Sequence, residues 1–178
     1  AISHIYYADR LNQLPLAIFG IALGIVLLPS LSKAIKQKNQ EEIDATQNRS
    51  LEFSLLISLP SAAGLFILSK PIIHTLFERG AFVPEDTFYT SQVLSVFVLG
   101  LPAYILIKVL VTFFFAREDT KTPLYISIVS VIINVVLSLI LIGSMREMGI
   151  ALATAISAWV STLLLFTILL YKGDLYLD

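Results

Sequence analysis

Asp9 and Arg10 stand side by side directly before Leu11–Ser32, a run with no Asp, Glu, Lys or Arg. Roughly 20 residues at about 1.5 Å each cross a bilayer's hydrocarbon core, so this run is long enough to span one. A charge pair at the mouth of such a helix is costly, and it faces a cavity or a partner rather than lipid. Two readings fit the spacing. Asp9 and Arg10 neutralise each other at the interface, or Arg10 faces a wet cavity and binds an anion. Guanidinium suits phosphate because it presents a planar fork of donors and stays charged. Asp9, Gln13, Ala17, Gly20 and Gly24 recur at helical spacing along the same run, with Arg10 and Asn12 flanking the stripe. Gly20-x-x-x-Gly24 would let a second backbone approach closely.

Lys108 is the other cation within an apolar segment, about two turns before Arg117. Either it snorkels toward the headgroups or it lines a cavity as a second cation. Further along, Asn134, Ser138 and Thr154 are oxygen-bearing side chains in two apolar segments joined by a turn near Ser144–Glu147. Counted outward from that turn, Ser138 and Thr154 fall at one depth and Asn134 one turn deeper. They could hydrogen-bond across a helix pair or form a small Na⁺ site. His74 has no second His or Cys near it, so it reads as an interfacial polar group rather than a metal ligand. The chain carries no HExxH, GxSxG or Walker A pattern and no paired aspartates on facing helices, so no catalytic residue is assigned.

The elements that must position these residues are membrane helices. Hydrophobic residues make up 57% and charged residues 14% of 178, against roughly 25% charged in soluble domains. Mean hydropathy is +0.85. Uncharged stretches run through Leu11–Ser32, Phe53–Ser69, Thr87–Ile107, Thr122–Met145 and Met148–Tyr171, and the third extends past Lys108 to Ala116. No period-2 alternation supports strands. The fold class is therefore an all-α integral membrane protein, a polytopic bundle of about five transmembrane helices. The spans are read as about 5–32, 50–69, 87–116, 122–144 and 148–171, with a polar loop at 33–49 and an amphipathic segment at 70–86. Pro15, Pro29, Pro60 and Pro102 fall within or at the ends of spans, as bent helices allow.

Lys33, Lys36, Lys38, Arg49, Arg117, Lys121 and Lys172 fall on one side of this topology, and Arg10, Lys70, Arg79 and Arg146 on the other. The positive-inside rule puts 33–49 in the cytoplasm and the amino end outside. Net charge is −1, so nucleic acid is not the expected partner. The absence of Cys removes disulfides, thiolate metal sites and a thiol nucleophile. The chain opens on Ala1 with no basic n-region or cleavage site, and reads as an interior piece of a longer protein.

Three stretches carry a family resemblance. The first is Tyr6-Tyr7-Ala8-Asp9-Arg10-Leu11-Asn12-Gln13-Leu14-Pro15 with Gly20, Gly24 and Leu27-Leu28-Pro29-Ser30-Leu31-Ser32. The second is Lys108-Val109-Leu110 followed by Phe115-Ala116-Arg117-Glu118-Asp119-Thr120-Lys121-Thr122-Pro123. The third is Leu76-Phe77-Glu78-Arg79-Gly80-Ala81-Phe82. The chain resembles the MurJ (MviN) family of lipid II flippases, within the multidrug/oligosaccharidyl-lipid/polysaccharide exporter superfamily. The resemblance covers essentially the whole chain. It implies the eighth to twelfth of fourteen helices, in the carboxy-terminal lobe of a MATE-like two-lobe transporter.

The implied protein is a multi-pass protein of the bacterial cytoplasmic (inner) membrane. By alternating access it moves the undecaprenyl-diphosphate-linked peptidoglycan precursor, lipid II, between leaflets for cell-wall synthesis. Its implied partners are that precursor, membrane lipids and the remaining helices of the same protein. Arg10 matches a cavity arginine and Asp9 its acidic neighbour, so Arg10, Asp9, Gln13 and Lys108 form the candidate diphosphate site. No organic cofactor is implied. Some members suggest sodium coupling, and Asn134, Ser138, the Ile150 carbonyl and Thr154 fall at those places. Ser138 stands where a sodium-binding member would carry a carboxylate, Ala17 where glycine is usual and Ile25 where threonine is usual. Competing readings are a related exporter of drugs or polyprenyl-linked saccharides, and a non-transporting scaffold for cell-wall enzymes.

Overall fold

The computed structural model describes residues 2–78 and 83–176, with the side chains of residues 2, 23 and 24 outside that description. Arg79, Gly80, Ala81 and Phe82, part of the third motif, therefore lie outside the described residues. Helices run through α1 (Ile2–Ala22), α2 (Leu28–Lys36), α3 (Gln40–Phe77), α4 (Pro84–Leu99), α5 (Leu101–Ala116), α6 (Lys121–Met145) and α7 (Glu147–Lys172). A π-helical turn at Leu23–Leu27 joins α1 to α2. Among the described residues, five helical stretches are long and apolar enough to cross a membrane: Ser3–Lys36, Gln40–Phe77, Pro84–Ala116, Lys121–Met145 and Glu147–Lys172.

The polar 33–49 segment is the solvated helix and turn that its charges suit, and one other boundary differs from the sequence reading. Residues 33–49 are helical apart from a three-residue turn at 37–39. Lys38 turns the chain with φ 55°, and Asn39 then caps α3, its side-chain oxygen accepting the Glu42 N–H at 3.3 Å. Among the described residues, 70–78 and 83–86 do not form a separate interfacial helix. Residues 70–77 continue α3, and Pro84–Asp86 open α4. The reason is packing: Ile73 is fully buried against Val93, Leu94 and Phe97 of α4, which holds this turn in the bundle.

Lipid tails are as apolar as leucine, so close packing and polar contacts hold such a bundle together rather than hydrophobic burial alone. The core sits around α5, where Leu101, Ile105, Val109, Leu110, Phe113 and Phe114 are fully buried. By contrast α6 buries only Pro123 and Ile126. The third predicted span is broken at Gly100, with Pro102 opening α5. There α7 supplies donors to nearby carbonyls: Trp159 Nε1 to Leu99 at 3.0 Å and Thr162 Oγ1 to Ala103 at 3.2 Å. Gly149 lets α6 and α7 close into a hairpin, because a Cβ there would sit 2.6 Å from the Leu141 carbonyl oxygen. Gly20 has nothing within 4 Å of a Cβ. The helix contact expected at Gly20 is not made in this chain, since this face of α1 has no neighbour.

Candidate functional site

Helix α1 has two distinct faces. Ala8, Leu11, Asn12 and Phe19 are buried, while Arg10, Gln13, Leu14, Ala17, Ile18 and Ile21 are exposed. The described charges follow this division. Arg10 Nη2 donates to the Tyr6 hydroxyl at 2.9 Å, and its guanidinium lies 4.9 Å from the centre of the Tyr6 ring. Asp9 is half-buried and accepts from Gln13 Nε2. The mutual ion pair read as one option from the sequence does not form. Neighbours on a helix point about 100° apart, so each charge meets the residue four positions away on its own side instead.

This leaves the Arg10 guanidinium held by Tyr6 and not neutralised by Asp9. A guanidinium carries five N–H donors, so one bond to Tyr6 leaves Arg10 with donors to spare for an anion.

Lys108 is exposed and its ammonium has no hydrogen bond or ion pair among the described residues. It does not share a depth with Arg10. The 2.9 Å contact between His4 Nε2 and Asp86 Oδ1 puts α1 and α4 in register at their outer ends. Both run in the same direction. Arg10 lies six residues past His4, and Lys108 lies twenty-two past Asp86. At about 1.5 Å per residue, roughly 24 Å of helix separates them. The two cations expected to share one cavity therefore lie at different depths along the bundle.

The oxygen cluster does assemble. Asn134 Nδ2 donates to Thr154 Oγ1 and to Ser157 Oγ, both at 3.2 Å, while Ser138 Oγ donates to Asn134 Oδ1 at 3.2 Å. Thr154 Oγ1 donates in turn to the Ile150 carbonyl at 2.9 Å. It is Asn134, not Ser138, that faces Thr154. The sequence reading missed Ser157 and Ser130, whose hydroxyl donates to the Ser157 carbonyl at 3.3 Å. Three- and four-residue spacing from Asn134 and Thr154 is the signal that would have found them. Among the described residues no group of three His, Cys, Asp or Glu side chains could hold a metal.

Two polar clusters close the ends of the bundle. At the inner end, Asp119 accepts from Lys172 Nζ at 2.8 Å, from Thr122 Oγ1 at 2.7 Å and from the Thr122 N–H at 3.1 Å. Those donors, Lys172 first, hold its carboxyl well below the usual carboxylate range. At the outer end, His4 lies between Asp86 and Glu147. The sequence reading passed over His4, because its partners are 82 and 143 residues away.

The architecture defines a polytopic, all-helical membrane protein. The family model described as "Lipid II flippase MurJ" matches residues 1–177, and the chain belongs to this family. It is 48% identical over 173 residues to the "Probable lipid II flippase MurJ" of Rhizobium meliloti (strain 1021), covering 97% of this chain and 32% of that protein. Its identity to the protein of the same description from Rickettsia prowazekii (strain Madrid E) is 43% over 178 residues, covering 100% of this chain and 35% of that protein. A solved "Lipid II flippase MurJ, inward closed conformation" superposes with TM-score 0.85 at 31% identity, covering 98% of this chain and 36% of that one. The chain thus spans about a third of the length of the relatives it matches.

Proposed function

We propose that this chain supplies five helices of one lobe of a lipid II flippase in the bacterial inner membrane. The whole protein would carry the polyprenyl-diphosphate-linked precursor between leaflets without making or breaking a covalent bond. One observation carries this reading: Arg10 stands exposed on an unpartnered face of α1, braced by Tyr6 and not neutralised by Asp9. A diphosphate carries about two negative charges and does not cross hydrocarbon unaided; a guanidinium in a wet cavity replaces part of its hydration. Lys108, deeper toward the inner face, would meet the headgroup at the cytoplasmic end of its path. Release on the far side requires that a second state of the protein bind the headgroup less well.

The Asn134 cluster supports helix pairing more directly than sodium binding. Its hydroxyls and amide already engage one another, and this chain adds no carboxylate there. The remaining helices of the full-length protein complete the cavity.

The test is Arg10→Ala in the full-length protein, scored by rescue of cells depleted of the native flippase. The expected result is loss of rescue at an unchanged level in the membrane. Full rescue would remove Arg10 from the site.

A further inference from the structure

His4 is 8% exposed, in the first turn of α1. Its two ring nitrogens face different helices. Nδ1 lies 3.0 Å from Glu147 Oε2 at the first position of α7, and Nε2 lies 2.9 Å from Asp86 Oδ1 in the first turn of α4. The Tyr89 ring, one turn on from Asp86, stacks on the imidazole at 6.0 Å with 15° between the planes. His4 lines a cavity of about 230 Å³ together with Glu85 and Arg146.

The chemistry of this arrangement is one-sided. An ionised carboxylate only accepts hydrogen bonds, and a neutral imidazole has one N–H to give. Both carboxylates sit at helix amino ends, where the peptide dipoles favour negative charge. Asp86 is further held by the Val83 N–H, which donates to its Oδ2 at 3.1 Å. Asp86 is therefore stabilised as an anion, and between two ionised carboxylates the ring completes both contacts only when it carries two protons. Removing one proton turns a lone pair toward a carboxylate oxygen and breaks a contact between two helices.

We infer that His4 is a proton-binding site that pins the outer ends of α1, α4 and α7 together when the ring is doubly protonated and releases α1 from one of the other two when it is not. Its ligand is a proton from the outer aqueous phase. Imidazole is the side chain whose charge changes in the range such compartments occupy. Arg10 lies less than two turns below on the same helix. The state of His4 therefore sets how firmly the exposed cationic face of α1 is held. Acid outside closes the outer end of the lobe, and alkali loosens it.

The experiment uses the full-length protein in lipid nanodiscs, with amide hydrogen exchange of the first two turns of α1 read at about pH 5.5 and about pH 8.5 and corrected for intrinsic exchange. Exchange should rise about tenfold or more at the higher pH, the factor expected from one charge-assisted hydrogen bond. His4→Gln should exchange at the fast level at both values. Nitrogen NMR of labelled histidine in the wild-type protein should show both His4 nitrogens protonated in the protected state. The inference is overturned if His4→Gln keeps the wild-type pH response, or if the ring carries one proton in the protected state. The NMR arm stands even where the variant does not insert, and neither readout depends on which substrate is carried.

Discussion

Arg117 grips Asp174 twice: Nη2 donates to the Asp174 backbone oxygen at 2.6 Å, and Nε lies 3.2 Å from its Oδ1. This ties the chain leaving α7 to the end of α5, and a third bond from Nη1 to the Phe113 carbonyl at 3.1 Å completes the joint. Asn48 of α3 holds the same segment through the Tyr176 carbonyl at 2.9 Å. Burial holds the guanidinium below the usual arginine range, and Asp174 opposes that.

Arg117→Ala should therefore destabilise the inner end by about 2 kcal/mol, since it strands the Asp174 carboxylate and two carbonyls. Arg117→Lys should recover less than half of this, because a single ammonium cannot reproduce the fork. Thermal unfolding in detergent measures the loss, and proteolysis at residues 173–176 should speed up in both variants. Unchanged proteolysis would show that the joint does not hold the segment.

Asp119 gives a pH dependence with a defined sign. Its folded-state value is depressed by Lys172 and Thr122, so its contribution is fully present above the unfolded carboxylate range, about pH 4. The contribution is lost as pH falls from there through the lower folded value. Asp119→Asn should flatten this acid limb, and added salt should weaken it, because Lys172 is partly exposed. Melting temperature against pH at two salt concentrations tests both points; an acid limb unaltered in the variant would exclude Asp119 as its source.

Asn134→Leu removes the donor shared by Thr154 and Ser157 and the acceptor used by Ser138. At about 0.6 kcal/mol per interhelical contact, the expected cost is roughly 1–2 kcal/mol. Stability of the wild-type protein should be equal in sodium and potassium chloride if the cluster only pairs α6 with α7. A sodium-specific rise in melting temperature that Asn134→Leu abolishes would instead establish a cation site.

Gly149→Ala places a Cβ against the Leu141 carbonyl carbon and oxygen at 2.8 and 2.6 Å, backbone atoms with no rotamer to yield. The α6–α7 hairpin must open, at a cost of about 1–3 kcal/mol. A cysteine pair across the hairpin should cross-link more slowly in this background. Equal cross-linking rates would refute the close approach.

The membrane class and the number of spans were legible because each rests on a local quantity, namely apolar run length. The position of Arg10 directly before an apolar run was visible in one dimension, but its partner Tyr6 was not. The convergence of Asn134 with Thr154 was half legible: a short turn sets the pairing of two helices, but their relative rotation decides which residues meet, and it brought Asn134 rather than Ser138 to Thr154. The break at Gly100 and the continuation of α3 through residue 77 were not legible, because both depend on neighbouring helices supplying partners.

By itself the sequence determined that this is a five-span helical membrane protein with an arginine at the mouth of its first span, because hydropathy and charge act residue by residue. Only the tertiary structure decided who that arginine and its neighbours touch. Helix rotation turned Asp9 away from Arg10, and helix register set Lys108 far below it. Packing of three distant segments enclosed His4 between Asp86 and Glu147. Contacts of that kind depend on how helices are stacked, and stacking leaves no periodic trace along a single chain.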